Sequence, residues 1–271
     1  MRVHFNGRLM DFAEARIDPT DRGFTLGDGL FETIAVRGAT PARLDAHLAR
    51  LRDGARVIGL DVPVSDQALA DALSEVVEAN HMVEGLLRLT LTRGPAPRRL
   101  VQVDPAAPSL LITGWPGDLP RDSTVPEPVT AVISTRTRRN EHSPLSRIKT
   151  LNFLDSIIAA REAADRGTDD ALLLNTRGNL AEATAASLFL VVDGRVVTPP
   201  VDDGAMPGVM RADVIRDLGA AENTLGPTDL AHASEAFLTN SLVIRPLTAV
   251  DGEPIGDGNP GPVTAEVRKI V

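Results

Sequence analysis

The chain has 271 residues, a formal net charge of −9, and is 43% hydrophobic and 24% charged, a globular composition that excludes a disordered or collagen-like chain. It holds no cysteine and no tyrosine, which excludes disulfides, zinc–thiolate sites, cysteine nucleophiles and tyrosine acids or bases. The acidic balance speaks against a nucleic-acid surface, no apolar run reaches the length of a membrane span, and the segment Met1 to Gly7 lacks the apolar stretch of a signal peptide, so a soluble cytoplasmic protein is expected.

Val3 to Leu9 alternates and turns at Asn6-Gly7, which predicts a hairpin. The Gly-rich turn from Arg22 to Gly29 leads into a strand over Phe31–Val36. A dinucleotide fingerprint needs a helix after such a turn, so a nucleotide oxidoreductase is not expected. Leu44, Leu48, Leu51 and Ala55 recur at helical spacing, predicting a helix from Leu44 to Ile58. Ser65 is placed to cap a second helix through Val77. Leu86–Thr92 and Ser109–Thr113 read as strands.

The Pro/Gly-rich stretch 116–128 reads as a linker between a small N-terminal α+β domain, 1–115, and a larger domain, 129–271. In the latter we expect a strand over Val129–Ser134, a helix over Leu151–Arg166 and a strand over Ala171–Asn175. A turn at Gly178 follows, then strands at Ser187–Val192 and Val196–Thr198 joined by Asp193-Gly194, and a helix starting near Val209. Ala236–Leu238 and Leu247–Val250 complete the strands. Strands and helices without a regular βαβ rhythm indicate an α+β fold in two domains.

Only two of the 28 basic residues are lysines, Lys149 and Lys269. Arginine serves as well at a solvated position, but it cannot replace an amine that forms a covalent bond. Lys149 is expected at the end of an extended stretch, just before a helix, where burial would make its amine a nucleophile toward an aldehyde. Glu182 sits in a run of small and apolar residues, and a carboxylate buried there needs a partner; a pyridine ring nitrogen is one such partner. Gly208 precedes a helix whose first N–H groups, at Val209 and Met210, can receive a phosphate. Arg50, on the helix of His47 to Leu51, could clamp the same phosphate. An amine, a carboxylate, a helix N-terminus and an arginine together are the inventory for pyridoxal 5′-phosphate.

Arg22 to Thr33, His47 to Leu51, Ile148 to Asn152, Glu182 with Leu188-Phe189, and Pro207-Gly208 occur in this order along nearly the whole chain. The series resembles the fold-type IV pyridoxal-phosphate enzymes, the class IV aminotransferase family, which includes D-amino acid transaminase, branched-chain transaminase and 4-amino-4-deoxychorismate lyase. The resemblance implies a two-domain fold with Lys149 as the Schiff-base lysine and proton shuttle, and Glu182 as the acid beside the pyridine nitrogen. It implies that Arg50 binds the phosphate together with the helix start at Gly208, Val209 and Met210. The family commonly has Thr where Met210 stands, so phosphate binding is expected to lean on backbone and on the loop Thr239-Asn240-Ser241. Ser187 also replaces a usual Asn after the acid. A homodimer is implied as well.

For the substrate, Phe31 takes the position of a Tyr in the D-amino acid enzymes, and the loop Arg93 to Leu100 keeps arginine but has no His. Arg88 stands in an apolar strand, with strand period setting Arg88, Thr90 and Thr92 on one face. There it is expected to meet a substrate carboxylate, with Arg98 or Arg99 as a second contact, and Phe31, Asn240 and Ser241 are expected to bind the substrate with it. The expected activity is transamination between an amino acid of D configuration and a 2-oxo acid. The alternative is the lyase reaction giving 4-aminobenzoate and pyruvate, for which Thr33 is a candidate proton donor and the stretches Leu238 to Leu242 and Ala185-Ala186 speak.

Overall fold

Two separate sheets organise the chain. The computed structural model describes residues 1–97, 99–101, 107–119 and 127–270. Arg98 and most of the expected linker lie outside the described residues. The chain divides into two compact units, Met1–Leu119 with Ile148–Asn152, and Pro120–Arg147 with Phe153–Val271.

The first unit holds β1 (Arg2–Phe5), β2 (Arg8–Asp11), α1 (Arg22–Leu26), β3 (Gly29–Arg37), β4 (Thr40–Pro41), α2 (Leu44–Val57), α3 (Asp66–Ala79), β5 (Gly85–Thr92) and β6 (Ser109–Pro116). The strands form one sheet in the order β2-β1-β6-β5-β3-β4, and every pairing is antiparallel. The Asn6-Gly7 turn has positive φ at both residues, 48° and 82°, the geometry a two-residue hairpin requires. Ser65 caps α3 by accepting from the N–H of Ala68. The turn before β3 is not wholly irregular: Asp21 accepts from the N–H of Gly23 and starts the single-turn α1, which ends at Gly27 with φ 68°.

Leu87, Leu89 and Leu91 of β5 pair with Ile34, Glu32 and Leu30 of β3. Cross-strand partners share a face, and these leucines with Leu30 and Ile34 pack on Leu48, Leu51 and Ala55 of α2 and Leu69, Leu73 and Val76 of α3. One face of the sheet is thus covered by helices. Phe31, Thr33, Arg88 and Thr90 occupy the opposite face, as the period of two requires.

The second unit contains β7 (Val129–Ile133), α4 (Leu154–Asp165), β8 (Asp170–Leu174), β9 (Leu180–Ala183), β10 (Ser187–Val192), β11 (Arg195–Thr198), α5 (Val209–Leu218), β12 (Ala221–Glu222), α6 (Pro227–His232), β13 (Glu235–Thr239), β14 (Ile244–Val250), β15 (Glu253–Pro254) and α7 (Pro262–Val267). Its sheet runs β12-β11-β10-β13-β14-β7-β8-β9, with β15 on β14. Parallel pairs at β14–β7, β7–β8 and β11–β12 mix with antiparallel ones, which fits an α+β rather than a doubly wound sheet.

Two local expectations change. The helix expected from Leu151 starts at Leu154, and a 3₁₀ turn over Pro144–Arg147 stands where an extended stretch was expected. Residues 149–151 instead lie along β3: the N–H of Phe31 donates to the Lys149 carbonyl and the N–H of Leu151 to the Gly29 carbonyl, both at 3.0 Å. Pairing with that open edge outcompetes an early helical turn. The strand β9, which carries Glu182, was not foreseen, because Leu180 to Ala183 is too short and too rich in alanine to show a strand pattern.

Candidate active site

In the first unit, the backbone pairing with β3 sets Lys149 beside Phe31. The Lys149 Nζ stands 4.5 Å from the centre of the Phe31 ring, and the Arg88 guanidinium stands 3.8 Å from the same centre. One aromatic ring therefore holds both cations, at separations where ring quadrupoles attract positive charge. Phe31 is 6% exposed. Arg88 faces the side of the sheet the helices leave uncovered, opposite Thr33 and Thr113. No carboxylate among the described residues pairs with Arg88, and burial alone lowers its pKa. A desolvated arginine without an anion is a site prepared for one.

Arg50 projects from α2 to the covered face. Its Nε donates to Glu32 Oε1 at 2.9 Å and its Nη2 to Oε2 at 2.6 Å. His47, one turn earlier, lies with Nδ1 2.7 Å from the same Oε2. The loop after β5 is held by Asp28, which accepts from both Arg22 and Arg93. Arg22 also donates to the carbonyls of Arg99 and Leu100. Arg93 is thus a structural arginine, and Arg99 is exposed.

In the second unit, Glu182 is buried at 9% exposure. One of its oxygens lies 2.9 Å from Arg139 Nε, and the other accepts from the N–H of Met206 at 2.9 Å. Arg139 in turn donates to the carbonyls of Ser146 and Gly204. These contacts hold the carboxylate from two directions. Sequence reasoning missed Arg139, because three arginines among the four residues 136–139 give no sign of which one turns inward.

Ser187 of β10 pairs with Thr239 of β13, and two residues along each strand Phe189 stacks on Phe237 at 5.0 Å. Met210 and Val214 of α5 pack on these two rings. The helix therefore lies along the face that carries the Ser187 and Thr239 hydroxyls, with its N-terminus at Gly208. A Cβ on Gly208 would stand 3.0 Å from Ser187 Oγ, so glycine keeps this corner open. The Thr239 hydroxyl is buried and has no hydrogen-bond partner among the described residues. An orphaned hydroxyl on the strand next to Ser187, which a helix N-terminus approaches at Gly208, fits a phosphate. The Met210 side chain is 1% exposed in the apolar cluster, so only its backbone is available. Asn240 spends its side-chain oxygen on the N–H groups of Leu242 and Val243; Ser241 is half-buried in the same turn.

The amino-transferase class IV family matches residues 29–250. The chain belongs to the class IV aminotransferases. It is 31% identical to D-alanine aminotransferase of Bacillus licheniformis, over 99% of this chain and 95% of that protein. Among solved structures it is similar to the branched-chain aminotransferase of Thermoproteus uzoniensis with norvaline, at 30% identity and a TM-score of 0.90 over 99% of this chain and 92% of that one. A putative 4-amino-4-deoxychorismate lyase from Legionella pneumophila is likewise 30% identical, with a TM-score of 0.85 over 95% of this chain and 94% of that one. Class IV aminotransferases depend on pyridoxal phosphate, and the buried Thr239 hydroxyl with the Gly208 corner fits its phosphate.

Proposed function

We propose that this aminotransferase moves the amino group of a D-amino acid to a 2-oxo acid, acting as a cytoplasmic homodimer. The observation that carries the reading is the Lys149–Phe31–Arg88 stack. The α-carboxylate of a small amino acid lies one carbon from the amine, and Arg88 shares an aromatic ring with the amine-bearing Lys149. A substrate whose amine reacts near Lys149 thus has a cation for its carboxylate within reach. The 31% identity to a D-alanine aminotransferase supports the D configuration.

Bound pyridoxal phosphate supplies an aldehyde for the substrate amine and a ring that takes up electrons. Lys149 is assigned the covalent attachment and the transfer of the proton from the substrate Cα. Glu182, held by Arg139 and Met206, is assigned the ring nitrogen, where a fixed carboxylate keeps a proton in place. Val209 and Met210 N–H groups, Thr239 and Arg50 are assigned the phosphate. Phe31, Arg88 and the loop arginines Arg98 and Arg99 are assigned the substrate side, with Asn240 shaping the Thr239–Ser241 turn.

The test is absorbance of the loaded enzyme mixed with single amino acids. A shift from the pyridoxal to the pyridoxamine spectrum with D-alanine or D-glutamate supports the proposal. A shift only with L-leucine or L-valine makes it a branched-chain enzyme. Release of 4-aminobenzoate and pyruvate from aminodeoxychorismate, with no response to amino acids, makes it a lyase. Lys149→Ala is expected to abolish the visible band and lower turnover by at least about 10³-fold; a surviving band assigns the attachment elsewhere.

A further inference from the structure

Glu32 is a carboxylate on the sheet face that α2 and α3 cover, opposite Leu89 and between Leu30 and Ile34. It is 1% exposed. An acid among leucines destabilises a core unless every oxygen is engaged. Both are: Oε1 accepts from Arg50 Nε, and Oε2 is shared by Arg50 Nη2 and His47 Nδ1. His47 is also 1% exposed. Burial opposes the charge on Glu32, yet the hydrogen bonds and charges of His47 and Arg50 hold its pKa below the ordinary carboxylate value.

We propose that Glu32, latched by His47, is a positioning residue that sets the Arg50 guanidinium for the cofactor phosphate. The inference rests on the assignment of Arg50 to that phosphate. A two-point fork fixes the guanidinium plane as well as its place, which a single hydrogen bond does not. An arginine otherwise spreads over many rotamers, and ordering it on binding weakens the complex. His47 Nδ1 shares Oε2 with Arg50 Nη2, and it stands one helical turn from Arg50 on the same helix. It therefore limits rotation of the Glu32 carboxylate, and through it the swing of Arg50.

The experiment compares dissociation constants of pyridoxal phosphate and of pyridoxal, which lacks the phosphate, for the whole protein by absorbance titration. The ratio of the two isolates the phosphate. Glu32→Gln and His47→Leu are each expected to weaken pyridoxal phosphate about tenfold, the effect of one charge-assisted hydrogen bond, and to leave pyridoxal unchanged. His47→Asn, which keeps a donor near the Nδ1 position, is expected to restore most of the loss. Equal weakening of both ligands would make the trio a purely structural element and overturn the proposal. Unchanged pyridoxal phosphate binding in Glu32→Gln would mean that Glu32 does not set Arg50, and tighter binding that it competes with the phosphate for Arg50; either would overturn the proposal. Arg50→Met tests the underlying assignment separately: if the ratio does not move there, Arg50 is not a phosphate ligand. Should Glu32→Gln fail to fold, the His47 pair carries the test alone.

Discussion

Thr33 and Glu32 are neighbours on one strand, yet the charged residues at their positions follow opposite rules. Arg88, across from Thr33, faces the side away from the helices with an aromatic ring as its neighbour and no acid among the described residues. Glu32 faces the covered side and is fully neutralised. The first arrangement suits a transient anion; the second holds something in place. Arg88→Ala is expected to raise KM for the amino acid and lower kcat/KM by about 10- to 100-fold, the effect of losing a bidentate ionic contact, with the pyridoxal phosphate dissociation constant unaltered. Steady-state kinetics with a cofactor titration checks this, and an unchanged KM would remove Arg88 from the substrate site. Lys149, Glu182 and Arg88 stood out in the sequence because each breaks its local pattern: a lysine among arginines, an acid among alanines, an arginine among leucines. Arg139 breaks no pattern and became visible only when its contact with Glu182 was located.

At the scale of elements, the reach of Lys149 depends on a short stretch of sheet edge. Residues 149–151 hydrogen-bond to β3 at Gly29 and Phe31. Gly29 permits it: an added Cβ would stand 2.5 Å from the Leu91 carbonyl oxygen and 2.8 Å from the Leu151 side chain. Gly29→Ala is expected to destabilise the fold by about 1–3 kcal/mol through overpacking. It is also expected to lower kcat beyond what the loss of folded protein explains, because the Lys149 backbone shifts; activity per mole of bound cofactor distinguishes the two effects. The sequence showed the glycine turn but not its partner, since the pairing joins residues far apart along the chain.

A second element-scale feature is Glu162 on α4. It accepts from the hydroxyls of Ser134 and Thr135 and from the N–H groups of Thr135 and Arg136. Burial alone would raise its pKa, but the hydrogen bonds from Thr135 and Ser134, with those backbone N–H groups, bring it down to about 2. A folded-state pKa below the unfolded one stabilises at higher pH, and that stability is lost as the pH falls through the ordinary carboxylate range toward the folded value. Glu162→Gln is therefore expected to lower Tm at pH 7, with the gap to the wild type closing as the pH approaches about 2. Thermal melts across that range check it; a constant gap would mean that the charge of Glu162 does not matter.

At the scale of the whole molecule, the first unit leaves Phe24 77%, Leu26 49% and Leu100 85% exposed. Phe24 and Leu26 belong to α1, and the Leu100 carbonyl is bound by Arg22 of the same helix. Apolar side chains grouped this way mark an interaction surface. Sedimentation at micromolar concentration is expected to give twice the chain mass, and Phe24→Glu to shift the equilibrium toward one chain. A wild type sedimenting as a single chain would remove the homodimer. The sequence expected two domains either side of its Pro/Gly-rich stretch, but it carried no sign that Ile148–Asn152 joins the first unit, by sheet pairing rather than by sequence continuity.

That detour has a consequence for synthesis. The first unit needs Ile148–Asn152 to complete it, so its last piece leaves the ribosome only after residue 152 of 271 has been made. Until then the Gly29–Phe31 edge of β3 lacks its partner while Pro120–Arg147 is already emerging. Domains ordinarily fold in the order of their synthesis, but here the earlier unit must wait for a stretch enclosed within the later one. A nascent chain stalled short of that point would expose the Gly29–Phe31 edge of β3, and chaperone engagement or premature strand pairing should concentrate in that interval.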